Sequence, residues 1–376
     1  MRENDGEPEG WAEPGPPPVR LRLNDASAAN RRKVKRMSVY PFSRLGELPE
    51  VTPALDDDPY GNPDPSPAWM AVDWRRQLSW VELDGALINY AEIGTGAPIV
   101  FVHGLGGSWQ NWLENLPHFA AAGYRAIALD LPGFGYSPMP PEDVTIPGYG
   151  EVLDQFCRRL GLEGVTLVGN SMGGFVAADT ATRAPAWLAR LVLVSAAGIS
   201  HAEMGARPQR VINRALALAA PLALRFQDVT IRRPGIRGGA FGGTFHRPLK
   251  IRPELLWEFL DRGIDPPGFL PALSALLGYD ILDRLGDVAV PTLLIWGRDD
   301  QIVPARDAPG YRDRIPEAEL VVFDECGHVP MAERPLRFNR VVERFMTSGS
   351  AAIAEAVDAA ESEQRPLDRD GPFGGA

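Results

Sequence analysis

The 376-residue chain has 45% hydrophobic and 23% charged residues, the balance of an ordinary globular protein. Its formal net charge of −11 argues against broad binding to nucleic acid or to an anionic membrane surface. No apolar run reaches the roughly 18 residues that a membrane-spanning helix needs, so no membrane span is expected.

The chain begins Met1-Arg2-Glu3-Asn4-Asp5-Gly6 and continues in acid, Gly and Pro rather than in an apolar segment. No secretory signal is expected there, and the expected location is cytoplasmic. Residues 1–70 hold stretches such as Glu13-Pro14-Gly15-Pro16-Pro17-Pro18, which cannot build a core, and are expected to form a disordered or extended arm. The basic run Arg31-Arg32-Lys33-Val34-Lys35-Arg36 inside it is expected to be a solvated segment. Trp69, Met70, Val72 and Trp74 suggest where the arm docks.

A regular pattern then begins. Residues 79–83 and 86–90 flank Asp84-Gly85 and predict a hairpin. Short apolar runs at 98–102, 125–129, 165–168, 191–194, 292–296 and 319–323 predict buried parallel strands. Helices are predicted over 112–122, 149–160, 172–184 and 335–345. Strands alternating with helices imply an α/β protein with a mostly parallel, doubly wound sheet, whose active site lies at the strands' carboxyl ends. Residues 198–285 break the rhythm. They hold helical pieces at 210–226 and 254–262, the glycine-rich 235–243 and Pro266-Pro267-Gly268, and predict a helical cap. The expected organisation is thus a core over 75–197 and 286–347, a cap over 198–285 and a tail over 348–376. Cys157 and Cys326 are the two cysteines and are expected to be free thiols.

Gly169-Asn170-Ser171-Met172-Gly173 directly follows the apolar run 165–168. This G-x-S-x-G pattern suits a sharp strand-to-helix turn that lifts a serine hydroxyl out of the sheet edge. In a chain with 39 glycines the match alone is weak evidence, so its partners matter. A neutral serine is a poor nucleophile and needs a histidine base oriented by a carboxylate. His328 follows the strand ending at Phe323, in Cys326-Gly327-His328-Val329-Pro330. Asp299 and Asp300 follow the strand ending at Trp296. Adjacent residues point in different directions, so one aspartate can face the histidine and the other is expected to be solvated or a cap. The order Ser, Asp, His fits a hydrolase triad. A second glycine-rich loop, His103-Gly104-Leu105-Gly106-Gly107-Ser108-Trp109, follows the run 98–102. Backbone N–H groups of Leu105 and Met172 are the expected oxyanion donors, and His103 is expected to be structural rather than a base.

With these motifs the chain resembles the α/β-hydrolase fold superfamily over about residues 75–347. The matching segments are the His103-Gly104 loop, Asp130-Leu131-Pro132-Gly133-Phe134-Gly135-Tyr136-Ser137, the Ser171 elbow, Gly297-Arg298-Asp299-Asp300 with Pro304, and Gly327-His328 with Pro330. In that family the acid lies three residues after the turn glycine, so the resemblance selects Asp300. It also implies that residues 198–285 are a cap supplying most of the substrate pocket. Gly-Asn-Ser-Met-Gly-Gly is frequent in meta-cleavage-product C–C hydrolases. Those enzymes usually carry a proline and further glycines after the His-Gly, and a tryptophan after the catalytic histidine. Here Leu105-Gly106-Gly107-Ser108-Trp109 and Val329 stand instead. Dehalogenases and epoxide hydrolases of this fold use an aspartate nucleophile, which Ser171 argues against.

The expected function is therefore hydrolysis of small to medium hydrophobic carboxylic esters through an acyl-enzyme, with no cofactor or metal. C–C hydrolysis and cofactor-free perhydrolysis are alternatives on the same triad. Outside enzymes, the alternative is a non-catalytic binding protein of this fold. The cap is rich in apolar residues, among them Leu255, Leu256, Trp257, Leu270, Leu276 and Leu277. These suit either a hydrophobic substrate or simple packing. Substrate identity and oligomeric state are not written in the motifs.

Overall fold

The apolar runs become the strands of one eight-stranded sheet in the computed structural model, which describes residues 48–54, 58–202, 231–260 and 267–348. In chain order these are β1 (Leu78–Leu83), β2 (Ala86–Ile93), β3 (Ala97–Val102), β4 (Tyr124–Leu129), β5 (Val165–Asn170), β6 (Leu188–Val194), β7 (Thr292–Gly297) and β8 (Glu319–Phe323). Their order across the sheet is β1-β2-β4-β3-β5-β6-β7-β8. β2 is antiparallel to both β1 and β4, and every other neighbouring pair is parallel. This is the doubly wound α/β sheet expected from the sequence.

Helices cover both faces, and the strands are apolar on both sides for that reason. Along β3, Val100 and Val102 pack into one core with Leu153, Phe156 and Phe175. Ile99 and Phe101 enter the opposite core with Leu116, Phe119 and Phe338. These residues come from the helices α1 (Leu116–Ala121), α2 (Ile146–Arg159), α3 (Met172–Ala181) and, at the chain's far end, Pro335–Ser348. Some helix boundaries move from the predicted ones for local reasons. The segment expected as a helix from 112 is a 3-10 turn at Trp109–Trp112, and α1 starts only at Leu116, where Pro117 suits the first turn. α2 starts early because the Thr145 hydroxyl accepts from the Gly148 N–H and Pro147 suits its first turn.

The segment expected as a cap is helical where it is described. It holds α4 (Ile199–Ala202), α5 (Pro234–Phe241), α6 (Pro253–Leu260) and α7 (Phe269–Leu277). The glycine-rich stretch is α5 itself, helical despite Gly235, Gly238 and Gly239, with Pro234 at its start and Phe241 buried at its end. The helix expected over 210–226 lies outside the described residues, as do the basic run at 31–36 and the C-terminal tail beyond 348. Among the described residues of this segment, Leu255 and Leu256 join the core on one sheet face and Leu276 that on the other. Trp257 and Leu270 are exposed. After β7 come α8 (Ala308–Arg312), α9 (Pro330–Glu333) and α10 (Pro335–Ser348).

Part of the N-terminal arm is docked against the sheet. The Thr52 N–H donates to the Val322 carbonyl, and its hydroxyl accepts from the Val322 N–H, both at 2.9 Å. This covers backbone groups at the sheet edge formed by β8, which would otherwise be free to pair with another chain. Farther along, Trp69 is buried, its indole donating to Glu114, and Trp74 lies against Trp109 at 5.1 Å between ring centroids. Met70, expected to dock with them, is exposed instead. Among the described residues no helix is long and apolar enough to cross a membrane, and both cysteines are buried and unpaired.

Because Trp69 is the buried anchor of the arm, Trp69→Ala is expected to lower unfolding free energy by roughly 3 kcal/mol in urea titrations. An unchanged midpoint would show that the arm does not depend on this anchor.

Candidate active site

Ser171 follows β5 and precedes α3, with φ 56° and ψ −119°. Positive φ is unfavourable for a residue with a side chain. It is held here by three backbone hydrogen bonds. The Ser171 N–H donates to the Val194 carbonyl at 2.9 Å, and its carbonyl accepts from Phe175 at 3.0 Å and Ala197 at 3.1 Å. The glycines around it are required by contact. A side chain on Gly173 would strike the carbonyls of Val102 and His103, and one on Gly169 would strike the backbone of Gly173. Met172 opens α3, where first-turn N–H groups lack an intrahelical acceptor.

The loop after β3 lies against this turn: a Cβ on Gly104 would come within 3.0 Å of the Ser171 Cβ. His103 is fully buried. Its Nε2 accepts from the Leu131 N–H at 3.0 Å, so the proton sits on Nδ1, which donates to the Gly104 carbonyl at 2.7 Å. The Gly107 N–H donates to the same carbonyl at 3.0 Å. A peptide unit is planar and trans, so a carbonyl pinned on one side directs the following N–H, that of Leu105, to the other. Burial pulls His103 down to about 4, which keeps it neutral. Its place in the loop agrees with a structural role.

Asp130, at the end of β4, braces the same loop. Its carboxylate accepts from the Trp109 N–H at 2.8 Å and from the Tyr136 N–H at 2.9 Å. A side chain on Gly135 would strike that carboxylate. This explains why the segment from Asp130 to Ser137 is so rich in turn residues.

His328 and Asp300 come together. The Nδ1 of His328 lies 2.8 Å from Oδ2 of Asp300, and both side chains are almost fully buried. The other Asp300 oxygen accepts from the backbone of Ile302 at 2.8 Å and Val303 at 2.9 Å. With Asp300 on Nδ1, Nε2 is the nitrogen left for a proton transfer. The loops carrying this pair are laced together, since Asp299 N–H donates to the Cys326 carbonyl at 2.8 Å. Asn170, next to Ser171, donates its side-chain amide to the carbonyls of Val194 at 3.1 Å and His328 at 3.2 Å. The His328 loop is thereby tied to the serine turn.

Asp299, expected to be solvated or a cap, instead pairs with His246, Oδ2 to Nδ1 at 3.3 Å. In the segment after α5, the Thr244 carbonyl also accepts from the His328 N–H at 2.8 Å. Sequence reading missed Asn170 and Asp130 as supports of these loops. Asp130 stood inside a recognised motif.

Residues 97–335 match the α/β-hydrolase fold family, and the chain belongs to it. It is 32% identical over 284 residues to a 2-hydroxy-6-oxo-6-phenylhexa-2,4-dienoate hydrolase of Comamonas testosteroni, covering 72% of this chain and 94% of that protein. A solved structure described as Est816, an N-acyl homoserine lactone degrading enzyme, is 27% identical with a TM-score of 0.57, over 71% of this chain and all of that one. The bromoperoxidase of Bacillus anthracis gives a TM-score of 0.62 at 24% identity, over 72% of this chain and 100% of that one, a likeness of fold. The protein is a hydrolase of this family.

His103 supplies a pH test of the loop it braces. Burial lowers its folded-state value from 6.5 to about 4, so its neutral form contributes stability in full above pH 6.5. That contribution is lost as pH falls from 6.5 toward 4. The stability gap between wild type and His103→Gln in urea unfolding is therefore expected to narrow by roughly 3 kcal/mol between pH 7 and pH 4. A gap that does not change with pH would refute the neutral, buried imidazole.

Proposed function

We propose that the chain is a serine hydrolase of carboxylic esters, with Ser171 as nucleophile, His328 as general base and Asp300 as its orienting carboxylate. The observation that carries this reading is the buried 2.8 Å pair of Asp300 and His328, laced through Asn170 to the strained turn of Ser171. Ser171 Oγ attacks the acyl carbon and passes its proton to His328 Nε2. Asp300 holds Nδ1–H and stabilises the imidazolium. The backbone N–H groups of Met172 and Leu105 receive the oxyanion, each worth about 3–4 kcal/mol to the transition state. His328 then protonates the leaving alcohol, and water activated by the same nitrogen releases the acid. No step calls for a metal or organic cofactor. The likeness to a lactone-degrading enzyme supports an ester-type carbonyl as the target.

A second reading is favoured by the 32% identity to a dienoate hydrolase. The same three residues would then serve C–C bond hydrolysis of a ring-cleavage product. Val329 and the Leu105–Trp109 segment, which depart from the usual pattern of those enzymes, weigh toward the ester. Perhydrolysis without a cofactor is a third use of the triad.

Ser171→Ala is expected to abolish turnover of p-nitrophenyl butyrate with the fold intact by circular dichroism. Residual activity at the wild-type level would sink the assignment. Asp300→Asn is expected to lower kcat by about 10³–10⁴. A side-by-side assay of p-nitrophenyl esters and a 2-hydroxy-6-oxo-dienoate separates the readings, and kcat/KM at least tenfold higher on the esters is expected.

A further inference from the structure

Glu333 has no part in the mechanism above, yet it is the best-connected buried acid near the base. It ends α9 and is fully buried. Its Oε1 accepts from the backbone N–H of Gly327 at 2.9 Å and of Val329 at 3.3 Å, the residues on either side of His328. Its Oε2 accepts from the Tyr60 hydroxyl at 2.5 Å and the His246 N–H at 2.7 Å. Three of these donors are backbone amides, which cannot accept a proton in return, so the arrangement suits a carboxylate. Hydrogen bonds to a charged acceptor are about twice as strong as neutral ones.

Tyr60 belongs to the N-terminal arm, which lies before the segment that matches the family. It is itself held in place. Its hydroxyl accepts from the Arg247 N–H at 2.7 Å, and the Arg334 guanidinium lies 5.1 Å from its ring centroid. The neighbouring Gly61 N–H donates to the Glu333 carbonyl at 2.7 Å. Arg334 also donates to the Asp58 carbonyl at 2.7 Å.

We propose that Glu333 and Tyr60 are positioning residues for His328: the arm's hydroxyl holds the carboxylate, and the carboxylate holds the backbone on both sides of the base. The proposal rests on the reading of His328 as the general base. It makes the arm part of the catalytic support rather than an appendage.

The arrangement has a pH consequence. Burial pushes Glu333 up to about 7, and the Tyr60 hydroxyl is among the donors that hold it down. The other titratable or charged groups around it are His246 and Arg247 from the segment after α5, Glu325 and Cys326 from the base loop, Arg334 between α9 and α10, Arg337 from α10, and Asp58 from the arm. Removing the Tyr60 hydroxyl lets Glu333 take up a proton at higher pH, and a protonated Glu333 no longer accepts at every oxygen.

The test is phosphonylation of the full-length protein by a fluorophosphonate probe, followed to saturation between pH 5 and 9. It compares wild type, Tyr60→Phe, Glu333→Gln and the double variant, each checked by thermal melting. Tyr60→Phe is expected to leave KI unchanged, to lower kinact about tenfold at pH 7, and to move the acid limb up by about half a pH unit. In the Glu333→Gln background the same change is expected to cost less than about twofold, because the two residues act as one unit. A Tyr60→Phe protein with wild-type kinact and acid limb overturns the proposal, as does an equal loss in both backgrounds. If Glu333→Gln does not fold, the limb of Tyr60→Phe alone decides. Wild type left unlabelled at Ser171 would instead overturn the nucleophile, and the positioning proposal with it.

Discussion

The positive φ of Ser171 is the constraint on which the site depends. Such a conformation costs on the order of 1–3 kcal/mol and persists only where the surroundings over-determine it. Here the surroundings are the two neighbouring parallel strands. β6 supplies the Val194 carbonyl to the Ser171 N–H, and the carbonyls at the end of β3 press on Gly173. The glycines act by letting backbones touch, not by flexibility. Parallel strand order then brings the other parts to the same edge. β3, β4, β7 and β8 all end in loops that lean on this turn or on each other.

The sheet was legible in the sequence because a strand buried on both faces is apolar along most of its length, as the fully buried β5 and β7 are. The Asp300 and His328 positions were legible because both fall just after such strands. Helix ends were less so, because single residues such as Thr145 and Pro117 decide them. Gly235, Gly238 and Gly239 are poor helix formers, yet the segment that holds them is helical, with Phe241 buried at its end. The Asp299–His246 pair joins residues far apart in the chain, and no local pattern announces it. The arm carries no periodicity at all. Its docking rests on isolated anchors (Thr52, Tyr60, Trp69) that only the folded partner makes meaningful.

The cap shows why apolar content is a poor guide to substrate. Leu255, Leu256 and Leu276 stand in the cores on the two sheet faces and serve packing first. The departures at Leu105–Trp109 and Val329 fall in the two loops that flank Ser171. They bear on the reaction more directly than any apolar stripe does.

Two buried titratable groups brace those loops, and burial moves them in opposite directions. His103 is pulled down to about 4 and is neutral, which lets one nitrogen donate to Gly104 while the other accepts from Leu131. An imidazolium could not accept that N–H. Glu333 is pushed up to about 7, against four donors that favour its charge. In both cases desolvation favours the neutral form, but only the histidine's partners agree with it. The loop of Gly104 and Leu105 is therefore fixed across the neutral range. The loop of His328 is held by a group whose desolvation and hydrogen bonding oppose each other, and a single added hydroxyl can decide between them. That hydroxyl comes from Tyr60, which ties the arm through Glu333 to the backbone on both sides of His328.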